Sequence, residues 1–119
     1  MSRCGALCVS IYLFVDRTPL PTKTTGDAPY WRGYIWINLN YLTLRALHQL
    51  ARADGSPYQK QVSKTYTELR DNLLATILGN YERTGYFWEQ YHDETGEGMR
   101  CHPFTGWTAL VVSIMAEDY

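Results

Sequence analysis

Residues 34–53, YIWINLNYLTLRALHQLARA, decide how this chain folds. Apolar residues recur there at helical spacing along two stripes. Ile35, Leu39, Leu42, Ala46 and Leu50 form one, and Ile37, Tyr41, Leu44 and Leu47 form the other. A helix apolar on two faces is expected to be buried on two faces. Asp54 and Gly55 supply a stop, and Ser56 and Pro57 restart the chain as N-cap and first helical residue.

Working outward, a second helix is expected over about residues 57–83. Tyr58, Val62, Tyr66, Leu69, Leu73 and Ile77 share one face, while Lys60, Lys64, Glu68 and Asp71 share the other. That is the pattern of a surface helix buried on one side. Gly85 is its natural terminator. A third helix should begin near Thr105 or Gly106, and it is apolar nearly all round, with Trp107, Leu110, Val111, Val112, Ile114 and Met115. The expected fold class is all-α, with about three main helices and aromatic-rich loops. Two arrangements fit, a compact three-helix bundle or helices of a larger closed array with inner and outer layers, and the apolar surplus favours the second.

The composition is that of an ordinary soluble domain: 119 residues, 45% hydrophobic, formal net charge −1. Lys and Arg are scattered singly, so the basic stripe that nucleic acid needs is missing. Ten Tyr and four Trp exceed what a small core requires, and such amphipathic rings stack on sugars, bases or partner proteins. Cys4, Cys8 and Cys101 are odd in number and lack C-x-x-C spacing, which supports neither a disulfide framework nor a zinc site. The apolar run over residues 6–15 is too short to span a bilayer. Residues 16–29, with three prolines and four threonines, read as a linker or irregular loop.

Between the second and third helices lies GYFWEQYHDETGEGMRCHPFTGW, residues 85–107. Tyr86, Phe87, Trp88 and Tyr91 surround a single carboxylate, Glu89, although turns ordinarily rely on Gly, Pro, Asn, Asp and Ser. Something flat and partly apolar is expected to pack there. Asp93, Glu94 and Glu97 lack the alternating spacing of a calcium loop and read as a solvated turn. His48 and His92 read as exposed polar residues without a role.

Three ordered motifs, DAPYWRGYIWINLNYL, GYFWEQYHDETGEG and HPFTGWTALVVSIMAE, closely resemble the C-terminal end of glycoside hydrolase family 63, the processing α-glucosidases. The resemblance runs from about Thr22 to the end, leaving residues 1–21 an unassigned leader. It implies an (α/α)6 toroid whose inner helices surround a sugar-binding funnel. It also implies removal, with inversion, of the terminal glucose from the glucosylated N-linked oligosaccharide in the endoplasmic reticulum, without a cofactor or metal. Glu89 falls where the family places its general base. Trp88 and Tyr91, with Phe87, would wall the sugar site.

Tyr30, Trp31 and Arg32 precede an inner helix on the substrate side of the toroid. There Trp31 offers a stacking platform and Arg32 hydrogen bonds to hydroxyls or a carboxylate. Trp36, Asn38 and Asn40 are secondary candidates. His102 and Phe104 open the last helix near the same rim, and Trp107 reads as core packing. The family's general acid, an Asp, lies well upstream of Tyr30, and too few residues precede Tyr30 here to contain it. A fragment of the catalytic domain, inactive without its remainder, is therefore expected. The competing reading is a non-catalytic helical module that binds carbohydrate or protein.

Overall fold

The computed structural model describes residues 34–119. Their order is β1 (Tyr34–Ile35), α1 (Ile37–Arg52), α2 (Gln59–Thr84), β2 (Gln90–His92), β3 (Gly98–Met99), a 3-10 turn (Trp107–Leu110) and α3 (Val111–Ala116). The chain is mainly α, as expected, with one small antiparallel sheet in the order β1-β2-β3. None of these helices is long and apolar enough to cross a membrane.

The principal helix contact is α1 against α2. The second of the two α1 stripes faces it: Ile37 and Leu44 are wholly buried, and Tyr41 and Leu47 pack at the margin. From α2 come Tyr66, Leu69, Leu73 and Ile77, as the spacing predicts, and α3 adds Val111 and Ile114. Of the first stripe, Ile35 joins the core from β1, whereas the part carried by α1 is bare, with Leu42 at 57% and Leu50 at 54% exposure. Val112 and Met115 of α3 are bare as well. Both helices therefore carry an apolar face beyond what this core uses.

Three boundaries differ from the sequence reading. Tyr34 and Ile35 are a strand rather than the first turn of α1, because they pair with His92 and Tyr91 of β2. Trp36 then serves as the N-cap residue in extended conformation, and its carbonyl accepts both the backbone N–H and the side-chain amide of Asn40, at 3.1 and 2.8 Å. The second helix starts two residues late. Ser56 Oγ accepts the Tyr58 N–H and its carbonyl the Gln59 N–H, so Ser56 closes a turn ahead of the helix. The third helix is short and begins as a 3-10 turn, with Gly106 pressed so closely on Phe104 that a Cβ there would meet the ring. Gly85 ends α2 as predicted, in left-handed conformation (φ 76°) that glycine adopts at no steric cost.

The hairpin of β2 and β3 is fastened to α2 by Asn80, which extends the buried α2 stripe by one turn and is 5% exposed. Its Nδ2 donates to the carbonyls of Thr76 (2.8 Å) and Gly96 (2.7 Å). Its Oδ1 accepts from the Gly98 N–H (2.9 Å) and from Arg83 (2.8 Å). The full bonding capacity of one buried amide is thus spent on joining helix to hairpin.

At the far end, Arg70 donates to the Ile114 and Met115 carbonyls at 3.1 and 3.0 Å, closing α3. The Tyr66 hydroxyl donates to Glu117 and meets the Tyr119 hydroxyl at 3.1 Å. Burial, with these hydrogen bonds, pushes the Tyr66 phenol well above its usual range. His48 is not the exposed residue expected. It is half-buried, with its ring 5.3 Å from Tyr66 and 4.9 Å from Tyr119.

Candidate active site

The left-handed turn at Gly85 reverses the chain, and Thr84 anchors the return. Its hydroxyl donates to the Asn80 carbonyl and accepts from the Tyr86 N–H and the Trp88 indole N–H, at 2.8, 3.3 and 3.3 Å. Phe87 stacks on Tyr81 of α2, with ring centroids 4.7 Å apart. The aromatic run is therefore packed against the end of a helix, which is why it is stable outside a conventional turn.

Residues 87–89 are then held from two directions. The Phe104 N–H donates to the Phe87 carbonyl at 2.9 Å, and the Thr108 hydroxyl to the Trp88 carbonyl at 2.6 Å. The Trp107 indole N–H donates to the Glu89 carbonyl at 2.6 Å. The Glu89 N–H donates to the Cys101 carbonyl at 3.0 Å, and the Cys101 N–H returns a bond to the Glu89 carboxylate at 3.2 Å. Glu89 is thus a partly buried residue fixed at both backbone and side chain. Such an arrangement suits a base that takes a proton from a positioned water.

Tyr91 has no exposed surface. Its hydroxyl accepts the Trp88 N–H at 3.4 Å, and burial pushes the phenol up, with that bond acting in the opposite direction. It backs the site from within the core. Gln90 is also wholly buried, and neither atom of its amide has a hydrogen-bond partner among the described residues. His92 is half-buried. Its Nδ1 accepts the N–H groups of Glu94 and Thr95, so it shapes the hairpin turn that the sequence reading left to solvent.

Of the earlier candidates, Trp36 is buried against Trp107, with centroids 5.5 Å apart, and Asn40 is engaged by the first turn of α1. Asn38 Oδ1 is buried without a partner among the described residues. Trp107 does pack in the core, and its bond to Glu89 is an addition that no spacing rule announces. Tyr30, Trp31 and Arg32 lie outside the described residues, as do Cys4, Cys8 and the apolar run over residues 6–15. Cys101 is a free, exposed thiol. Among the described residues no group of three or more His, Cys, Asp or Glu side chains is placed to hold a metal ion.

The glycosyl hydrolase family 63 C-terminal domain matches residues 15–117. Mannosyl-oligosaccharide glucosidase GCS1 of Arabidopsis thaliana is 50% identical over 97 residues, which is 82% of this chain and 11% of that protein. A probable mannosyl-oligosaccharide glucosidase of Schizosaccharomyces pombe is 50% identical over 95 residues, covering 80% of this chain and 12% of its own length. Alpha-glucosidase 2 of Arabidopsis thaliana is 47% identical over 93 residues, or 78% and 12%. The chain spans about a tenth of the length of the curated relatives it matches.

Proposed function

Given that the chain belongs to glycosyl hydrolase family 63, whose C-terminal domain covers most of its length, we propose that it is the segment of an inverting exo-α-glucosidase that carries the general base, Glu89. The observation that carries this reading is the tethering of Glu89, a partly buried residue gripped at its backbone by Trp107 and Cys101 and at its side chain by the Cys101 N–H. General base catalysis needs such a fixed acceptor, because the water it activates must meet the anomeric carbon in line.

Inversion needs a second carboxyl group about 6.5–9.5 Å away to protonate the departing oxygen. That acid belongs to the part of the relatives' length that this chain does not span. Glu89 then removes a proton from water on the opposite face of the sugar. Phe87 and Trp88 wall the site, Tyr91 backs it, and Tyr30, Trp31 and Arg32 are the further sugar contacts that the family motif implies. The substrate is the glucosylated N-linked oligosaccharide, the compartment is the endoplasmic reticulum, and no cofactor enters the chemistry.

The bare stripe of α1 and the bare face of α3 support the reading that these helices belong to an (α/α)6 toroid whose other members cover them. They equally disfavour a free-standing binding module, whose helices would each present a polar outer face. The test is stereochemical. A full-length family 63 enzyme carrying this segment releases β-glucose first when the reaction is followed by proton NMR, and the 119-residue chain alone shows no turnover. Initial release of α-glucose would rule out inversion, and turnover by the isolated chain would show that it holds its own acid.

A further inference from the structure

Two neighbours cover the Trp88 indole. The backbone of Gly98 lies so close that a Cβ there would overlap the ring. The His102 imidazole lies against the ring, with centroids 3.8 Å apart and planes inclined at 33°. The indole N–H is occupied too, by Thr84. A sugar reaching the part of Trp88 under the imidazole would have to displace His102, and His102, being exposed, meets whatever approaches from solvent.

His102 is exposed, and three contacts fix its place. Its ring rests on Trp88 and lies 5.6 Å from the Tyr86 ring. Its Nδ1 is 3.2 Å from the Arg100 carbonyl, and since a carbonyl only accepts, Nδ1 carries the hydrogen of that bond. In the neutral ring, Nε2 is then left as an acceptor. The preceding residue, Cys101, bonds both the amide and the carboxylate of Glu89, which holds the imidazole and the base in one short strip of chain.

We propose that His102 is a substrate-facing residue whose Nε2 accepts a hydrogen bond from a hydroxyl of the bound glucosyl oligosaccharide beside Glu89. This rests on the reading of Glu89 as the base. Trp88 and Gly98 are the platform on which His102 is mounted, and Trp88 acts on the sugar through it.

The variants that test this are His102→Phe, which keeps a flat ring over Trp88 without an acceptor, and His102→Gln, which keeps an acceptor without the ring. In a full-length family 63 enzyme carrying this segment, His102→Phe should raise KM for a glucosylated oligosaccharide roughly 3- to 10-fold, the effect of one lost hydrogen bond, with kcat within about twofold. His102→Gln should recover part of that loss. An unchanged KM in His102→Phe would reduce His102 to packing. A fall in kcat with KM unchanged would mean that it acts through Glu89 instead of touching substrate. Normal turnover of Glu89→Gln would remove the base itself, a separate failure from either of these.

Discussion

Trp107 donates its indole N–H to the backbone carbonyl of Glu89 at 2.6 Å, across eighteen residues of sequence. The helix that follows the site thus holds the residue at its centre. Trp107→Phe keeps an aromatic ring in the core but removes this donor, together with part of the indole's packing against Trp36 and Phe104. A loosened Glu89 backbone should lower kcat by about tenfold in the full-length enzyme, with KM little changed, because a misplaced base costs more in the transition state than in the bound complex. Steady-state kinetics of the two proteins read this out.

Asn80 predicts a stability effect that reaches the site. Asn80→Ala leaves the Gly98 N–H and the Gly96 carbonyl without their buried partner, and an unmet buried group costs about 1–3 kcal/mol. Denaturant unfolding of the variant should show a loss of that order, with amide exchange quickening first in residues 96–99. A variant as stable as the parent would mean that the hairpin does not depend on this amide.

How far the sequence shows this arrangement depends on the residue. The helical stripes place Ile37, Leu44, Leu69, Leu73 and Ile77 in the core, because burial follows a period that a single segment displays. Asn80 lies three residues beyond Ile77 on the same stripe, so the signal was present, but a polar residue there reads as the end of the buried face. Tyr34 and Ile35 read as helix because strand pairing with residues 91 and 92 is a non-local fact. For Glu89, the aromatic setting marks the place, and the proposed role comes from the resemblance to the family motif. The grip of Trp107, Thr108 and Cys101 on residues 88 and 89 is tertiary, and no local pattern carries it.

Gln90 sits one residue from Glu89 with both amide atoms buried and unmet among the described residues. Replacing a buried group that lacks partners with an apolar one of similar volume removes its desolvation cost. Gln90→Met should therefore stabilise the chain by about 1–3 kcal/mol in denaturant unfolding. A loss of stability instead would show that the amide is engaged in solution.

The tyrosines give the fold an alkaline limit. Burial raises Tyr66, Tyr91 and Tyr119 above their unfolded value of about 10, so the unfolded chain gives up these protons first. The sign follows from linkage: stability from these groups is fully present below about pH 10 and falls as pH rises above it. Urea midpoints measured from pH 8 to 11 should be flat and then decline. Tyr66→Phe should soften the decline.

The central claim is that Glu89 is the base. The measurement that meets it most directly is turnover of a glucosylated oligosaccharide by Glu89→Gln in a full-length family 63 enzyme carrying this segment, beside Asp93→Asn as the nearby carboxylate control. Glutamine keeps the size of the side chain and an oxygen for the Cys101 N–H but cannot accept the water's proton. The expected result is a fall in kcat of about 10²–10⁴ with substrate binding retained, while Asp93→Asn stays near the parent. Near-normal turnover by Glu89→Gln, with activity lost in Asp93→Asn, would contradict the account and move the base elsewhere.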